Sequence, residues 1–202
     1  PDEGVPVIEI VFTRLHAGGK FDKTAGGAYS FSGGLHGVGV SVTNALARRL
    51  EVTVWRKGDK DARGNRLAHT IAFADGELAE KLAHRPALRD EPASGTRVSI
   101  SPNPKYFDSA TIPLGELERL LRSKAVLLPG VKVTLFIEKT GETRQWQYDE
   151  GLRGYLLEEL AQAPEAEPLV LFEDQQYAAA GDDSFAEGEG AHWVVAFTEA
   201  GP

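Results

Sequence analysis

The segment Gly33-Gly34-Leu35-His36-Gly37-Val38-Gly39 has the residue types that bind an anion through main-chain amides. Its glycines leave backbone N–H groups uncovered, and apolar residues at helical spacing follow, so the segment leads into the start of a predicted helix. Unpaired N–H groups and the positive end of a helix dipole both favour a phosphate at such a place. The spacing therefore predicts a phosphate-binding loop.

The two common phosphate-binding motifs do not fit this loop. A P-loop needs Gly-Lys followed by Ser or Thr, whereas Gly19-Lys20 is followed by Phe21. The dinucleotide fingerprint needs G-x-G-x-x-G after a strand, whereas here the order is reversed and a loop comes first. On the glycine spacing alone, a flexible loop without a ligand is an equal alternative.

The elements that must position this loop are two helices. Residues 6–16 predict a helix that Gly18 and Gly19 end, and a second helix is predicted after Gly39, with Arg48 and Arg49 near its C-terminal end. The eight glycines among residues 18–39 predict a long loop between them.

The rest of the chain alternates strands with helices. Period-two patterns predict strands at residues 50–56, 67–73, 96–101, 131–138, 143–148 and 193–197, and residues 58–65 predict a turn. Helices are predicted at residues 113–128 and 149–162, the second with Asp149 as its N-cap. This order predicts an α+β fold with a mixed sheet and helices on one face.

Composition limits the function further. The net charge of −8 repels a phosphate backbone, so this part of the protein is not expected to be the main DNA-gripping surface. The absence of cysteine excludes disulfides and cysteine-bound zinc. With no apolar run near ~18 residues and no leader pattern, a cytoplasmic protein without a membrane span is expected. Because the chain has no Met and opens at Pro1 just ahead of a helix, we expect an excerpt of a longer protein.

Three strings together carry a family resemblance: Arg14-Leu15-His16-Ala17-Gly18-Gly19-Lys20-Phe21, then Ser32-Gly33-Gly34-Leu35-His36-Gly37-Val38-Gly39-Val40-Ser41-Val42, then Asn44-Ala45-Leu46. They resemble the ATP lid of the ATPase subunits of bacterial type II topoisomerases, members of the GHKL superfamily. Gly95-Thr96 resembles the family's adenine-side motif. Lys124-Ala125-Val126-Leu127-Leu128-Pro129-Gly130 is similar to the topoisomerase IV branch more than to gyrase. The resemblance covers about residues 4–157.

The resemblance implies a GHKL (Bergerat) two-layer sandwich at residues 1–165 that lacks its N-terminal part, then a linker and the start of a transducer domain at residues 166–202. It implies ATP and Mg²⁺ as cofactors, with Arg56 at the rim of an inhibitor pocket. The residues that it implies for nucleotide binding are Gly18, Gly19, Lys20, Tyr29, Gly33, Gly34, Leu35, His36, Gly37, Val38, Gly39, Val40 and Thr96.

The resemblance also implies that the catalytic Glu and the Mg²⁺-ligating Asn lie upstream of Pro1, so the catalytic residues are unknown and no metal ligand is expected in this sequence. The implied activity couples ATP binding and hydrolysis to DNA strand passage. The implied partners are the A subunit of topoisomerase IV, DNA bound through the full-length enzyme, and a second ATPase domain on ATP binding. The alternatives are a gyrase B ATPase region and a fragment that binds nucleotides or inhibitors without hydrolysis.

Overall fold

The computed structural model describes residues 4–15, 37–109, 111–162, 168–178 and 190–198. The chain forms two compact units, Pro1–Ala110 and Thr111–Pro202. In the described ranges, no helix combines the length and apolar character that a membrane span requires.

The first unit places two short helices before a four-stranded sheet. The helices are α1 (Val7–Thr13) and α2 (Gly39–Ala45), and the strands are β1 (Ala47–Lys60), β2 (Arg66–Ala74), β3 (Glu77–Pro86) and β4 (Gly95–Pro102), followed by a 3₁₀ turn at Pro104–Tyr106. The strand order is β3-β2-β1-β4, and each of these pairings is antiparallel. The short β2–β3 turn fits its residues, since Asp75 and Gly76 both have positive φ.

The core of this unit lies on one face of the sheet, against α1. Alternation along the strands brings Leu50 opposite Phe73 and Val52 opposite Ile71, and these four side chains are fully buried. Phe12 of α1 stacks on Phe73 with ring centroids 5.8 Å apart. Burying Phe12 against this face accounts for the docking of α1, since seven residues form too short a helix to be stable in isolation.

The second unit joins two helices and two hairpins. Its elements are α3 (Leu114–Leu127), β5 (Val133–Ile137), β6 (Glu142–Trp146), α4 (Gly151–Ala161), β7 (Pro168–Tyr177) and β8 (Gly190–Thr198). The strands pair as the antiparallel hairpins β5–β6 and β7–β8. Ala125, Val126 and Tyr148 form its buried cluster. Burial raises the pKa of the Tyr148 hydroxyl, which accepts a hydrogen bond of 2.8 Å from Arg122 Nε.

Three local predictions are wrong. Arg48 and Arg49 lie in β1 rather than at the end of a helix, because the fully buried Ala47 already pairs with Pro102 of β4. The turn predicted at residues 58–65 starts later, since β1 continues to Lys60. Asp149 is not the N-cap of α4: Glu150 holds that position without a side-chain cap, and Asp149 accepts a hydrogen bond from Gln147.

Two strands, β3 and β7, were not predicted at all. Most side chains of β3 are exposed to solvent. Its sequence therefore lacks the alternation of apolar and polar residues that marks a half-buried strand. The strand β7 follows an Ala-, Pro- and Glu-rich stretch, and it exists through its pairing with β8. The glycine-rich loop predicted from Gly18 onward lies outside the described residues as far as His36.

Candidate functional site

A cavity of about 810 Å³ opens between α1 and the sheet of the first unit. Most of its wall is apolar, from α1 and the chain just before it on one side and from the strands on the other. These apolar residues are Pro6, Val7, Ile8, Val11, Phe12, Val52, Val54 and Leu82. The volume lies within the usual range for small-molecule sites.

Four polar side chains line the same cavity: Arg56, Asp59, His69 and Thr96. Strand register explains why they meet, since Val54 of β1 pairs with Thr96 of β4 on one side and with His69 of β2 on the other. The ring Nε2 of His69 lies 2.6 Å from Asp59 Oδ2. The Arg56 side chain leaves β1 two residues after Val54, and therefore on the same face.

An apolar wall with a few polar groups suits a flat ring system that carries hydrogen-bonding edges. The Thr96 hydroxyl can both donate and accept a hydrogen bond, whereas the Arg56 guanidinium can only donate. A heteroaromatic ring with an anionic substituent therefore matches both groups.

The second feature is the start of α2. Its N-cap, Val38, makes no side-chain cap hydrogen bond, and Gly37 before it has a φ of 60°. The first amides of an α-helix have no acceptor within the helix, so those near Gly39 and Val40 can reach an outside acceptor. At its other end α2 is fastened to the cavity wall, because Asn44 Nδ2 donates to the carbonyl oxygen of Phe12 at 3.0 Å.

No protein-family model matches the chain. It is 44% identical over 164 residues to the B subunit of DNA topoisomerase 4 from Pseudomonas aeruginosa, an alignment that covers 81% of this chain and 24% of that protein. Its structure resembles the 43K ATPase domain of Thermus thermophilus gyrase B, solved with an aminocoumarin, at 25% identity and a TM-score of 0.62. That match covers 89% of this chain and 41% of the gyrase chain. The topoisomerase IV ATP-binding domain of Francisella tularensis, solved with a small-molecule inhibitor, matches at 32% identity and a TM-score of 0.53, covering 83% and 40% of the two chains.

The chain belongs to the B subunits of bacterial type II topoisomerases. Among them, the relatives at 42–44% identity are B subunits of DNA topoisomerase 4. The chain spans about a quarter of the length of these curated relatives. The predicted α+β class and GHKL ATPase fold are confirmed by the structural matches.

The structure brings two of the residues predicted for the topoisomerase site together, because Thr96 and Arg56 line one cavity. Gly37, Val38, Gly39 and Val40 lie at the start of α2 and are not among the residues that line it. The other predicted nucleotide-binding residues lie outside the described ranges: Gly18, Gly19, Lys20, Tyr29, Gly33, Gly34, Leu35 and His36. Their roles stay predictions.

Mg²⁺ prefers oxygen ligands that converge on one point. In the described part of the chain, no group of three or more His, Asp or Glu side chains could hold a metal ion. The only carboxylate on the cavity wall there is that of Asp59, and His69 is its partner. We therefore assign none of the described residues to the metal.

Sequence reasoning missed Asp59, His69 and the inner face of α1. One signal was available for His69, because alternation along β2 places it on the face of Ile71 and Phe73. Asp59 gave no such signal, since it fell within the predicted turn. The long β1 strand, which carries Asp59 back beside His69, depends on pairing between distant segments.

Proposed function

We propose that this chain is the ATP-binding region of a topoisomerase IV B subunit, whose binding and hydrolysis of ATP drive the passage of one DNA duplex through another. The observation that carries the proposal is the cavity where Thr96 and Arg56, the two residues predicted for the adenine side and the pocket rim, lie together. The adenine ring would occupy the apolar part, with the Thr96 hydroxyl at its polar edge.

The remaining parts of the proposal follow from the resemblance. The triphosphate is held by main-chain amides of residues 33–40, including Gly37 and Gly39 at the start of α2. Mg²⁺ would neutralise charge on the phosphates, and none of the described residues is assigned to hold it. The A subunit of topoisomerase IV, DNA and a second copy of the ATPase domain are the partners, and the cytoplasm is the compartment. The domain boundary near residue 165 belongs to the same proposal.

The test measures binding of a non-hydrolysable ATP analogue to the full-length protein by calorimetry. Thr96→Val keeps the side-chain shape and removes the hydroxyl, so we expect the Kd to rise about threefold to tenfold, the value of one hydrogen bond. Ser99→Ala is the control, since Ser99 lies on the opposite face of β4 from Thr96. Equal affinities in wild type and Thr96→Val would exclude this residue from the site.

A second measurement addresses the whole activity. The full-length protein, assembled with the topoisomerase IV A subunit, should unlink catenated DNA circles only when ATP is present. Introduction of negative supercoils into relaxed DNA would instead favour the gyrase B alternative. Nucleotide binding without any DNA reaction would favour a non-hydrolysing binding protein.

A further inference from the structure

The connection between β3 and β4, residues 87–94, is bound to the sheet by several side-chain hydrogen bonds. Arg85 of β3 forms a forked pair with Glu91, with Nη1 and Nη2 lying 2.8 and 2.6 Å from the two carboxylate oxygens. The amide of Leu88 donates to the same carboxylate at 2.7 Å. The Glu91 side chain is only 5% exposed, so a charged group is buried here with its hydrogen bonds satisfied.

Arg66, the first residue of β2, ties down the same connection. Its guanidinium donates to the carbonyl oxygens of Leu88 at 3.1 Å, Glu91 at 3.0 Å and Pro92 at 2.8 Å. Fixing a loop without regular structure costs backbone entropy at every residue. The bonds of Arg66, Arg85 and Glu91 offset that cost and hold the loop in one position on the sheet.

Trp55 lies beside the Glu91 carboxylate of this loop. Trp55 is 3% exposed, and the guanidinium of Arg97, a residue of β4, lies 5.2 Å from the centre of the indole ring. The pairing with Arg85, with smaller contributions from the Leu88 amide and the Trp55 indole, lowers the pKa of Glu91 to about 2 against the effect of burial. The indole N–H makes no hydrogen bond within the described residues, but it lies close enough to the Glu91 carboxylate to interact with its negative charge.

Trp55 connects this clamp, formed by Arg66, Arg85 and Glu91, to the cavity on the other face of the sheet. In β1 it stands between Val54 and Arg56, which both line the cavity. Its partner on β4 is Gly95, the residue before Thr96. Any shift of the Trp55 backbone therefore moves neighbours on both strands that face the ligand space.

The strand ladder alone does not hold Arg56 in place. Pairing of β1 with β4 reaches its last partners at Trp55 and Gly95, and the register of β1 with β2 shifts after Trp55. Arg56 follows the last regular pair on both sides. Its position thus depends on how firmly Trp55 is fixed from behind.

We propose that Glu91 is a positioning residue for the cavity: together with Arg85 and Arg66 it fixes Trp55 from the back of the sheet, and so places Arg56 and Thr96 for the ligand. The inference rests on the proposed function for the identity of that ligand, a nucleotide. The clamp itself does not touch the ligand.

The test uses Glu91→Gln in the full-length protein, because Gln has nearly the same shape but cannot form the charged fork with Arg85. We expect faster amide hydrogen exchange at Arg56 and Thr96, and a threefold to thirtyfold rise in the Kd of a non-hydrolysable ATP analogue, the usual range for coupling through packed neighbours. In turnover, KM for ATP should rise by more than kcat falls. Glu80→Gln is the matched control, since it removes an exposed ion pair with Arg49 on the same sheet.

A second variant covers the case in which Glu91→Gln does not fold. Arg66→Lys keeps the charge but loses the guanidinium that reaches three carbonyl oxygens. It should therefore also speed amide exchange at Arg56 and Thr96 and raise the KM for ATP. Unchanged exchange at Arg56 and Thr96 in the folded variant overturns the positioning role, whether or not the protein binds ATP. Absence of nucleotide binding by the wild type overturns the proposed function instead.

Discussion

At the scale of single residues, Asn44 joins three elements of the first unit. Its side-chain amide donates at 3.0 Å to the carbonyl oxygen of Phe12 in α1 and at 3.0 Å to that of Gly76 in the β2–β3 turn. The side chain is 1% exposed, so water cannot replace these bonds. The packing is close as well, because a Cβ on Gly76 would come within 3.2 Å of the Ala45 Cα.

Replacing Asn44 should therefore destabilise the unit strongly. Asn44→Ala removes the donor from one buried carbonyl oxygen, that of Phe12, and one partly buried, that of Gly76. At about 1–3 kcal/mol each, we expect a loss of about 2–4 kcal/mol in the free energy of unfolding, measured in urea. Thr43→Ala is the neighbouring control, since its hydroxyl is exposed, and it should change stability by less than about 0.5 kcal/mol. If both variants changed the free energy of unfolding by a similar small amount, the Asn44 hydrogen bonds would not stabilise the fold.

Gly37 combines a left-handed backbone conformation with a proposed role in phosphate binding. Its φ of 60° lies in the left-handed region, where a side chain costs about 1–2 kcal/mol. In the full-length protein, Gly37→Ala should weaken ATP binding about tenfold or more, since the strain is relieved by moving the amides that follow. Gly64→Ala carries the same kind of strain, with a φ of 82°, in the turn before β2. If calorimetry gives both variants the wild-type affinity, residues 37–40 do not bind phosphate.

At the scale of elements, the loop at residues 87–94 makes the stability of the folded state depend on pH. The pKa of Glu91 is lowered from 4.5 to about 2, so the carboxylate stabilises the folded state at any pH above about 4.5. That stabilisation is lost as the pH falls from about 4.5 to 2. Thermal unfolding between these values should show a steeper fall for the wild type than for Glu91→Gln, and parallel curves would contradict the assigned pairing.

Elements with a buried face could be predicted from the sequence, and those without one could not. Strand β2 alternates His69, Ile71 and Phe73 toward the core, so its pattern is visible. Strand β3 forms because its backbone hydrogen-bonds to β2. Its side chains are mostly exposed, so its sequence carries no pattern from which this pairing could be predicted. The same holds for the site: Thr96 and Arg56 were predicted from a family string, whereas the contribution of His69 required the strand register.

At the scale of the whole molecule, each of the two units has a core of its own, one around Phe73 and one around Tyr148. The chain spans about a quarter of its curated relatives, and the cavity belongs to the first unit alone. Hydrolysis of ATP needs a base to activate water and a metal to bridge the phosphates. Among the described residues, Asp59 is the one carboxylate at the cavity, and it is paired with His69.

The 202-residue chain by itself should therefore show no Mg²⁺-dependent ATP turnover. Losing a general base alone lowers a rate by about 10²–10⁴. A coupled phosphate-release assay on the purified chain, beside the full-length protein at equal concentration, measures the difference. Turnover by the short chain that Asp59→Asn abolishes would show that the base lies within it.

The burial of Trp55 gives the molecule an optical reporter. The chain has three tryptophans, and Trp55 is the one within residues 1–110, the others being Trp146 and Trp193. Its indole lies near the charges of both Glu91 and Arg97, so its emission should respond to any change in that local field. With Trp146 and Trp193 replaced by Phe, fluorescence would follow events at the cavity from the opposite side of the sheet, without a label and without disturbing the ligand.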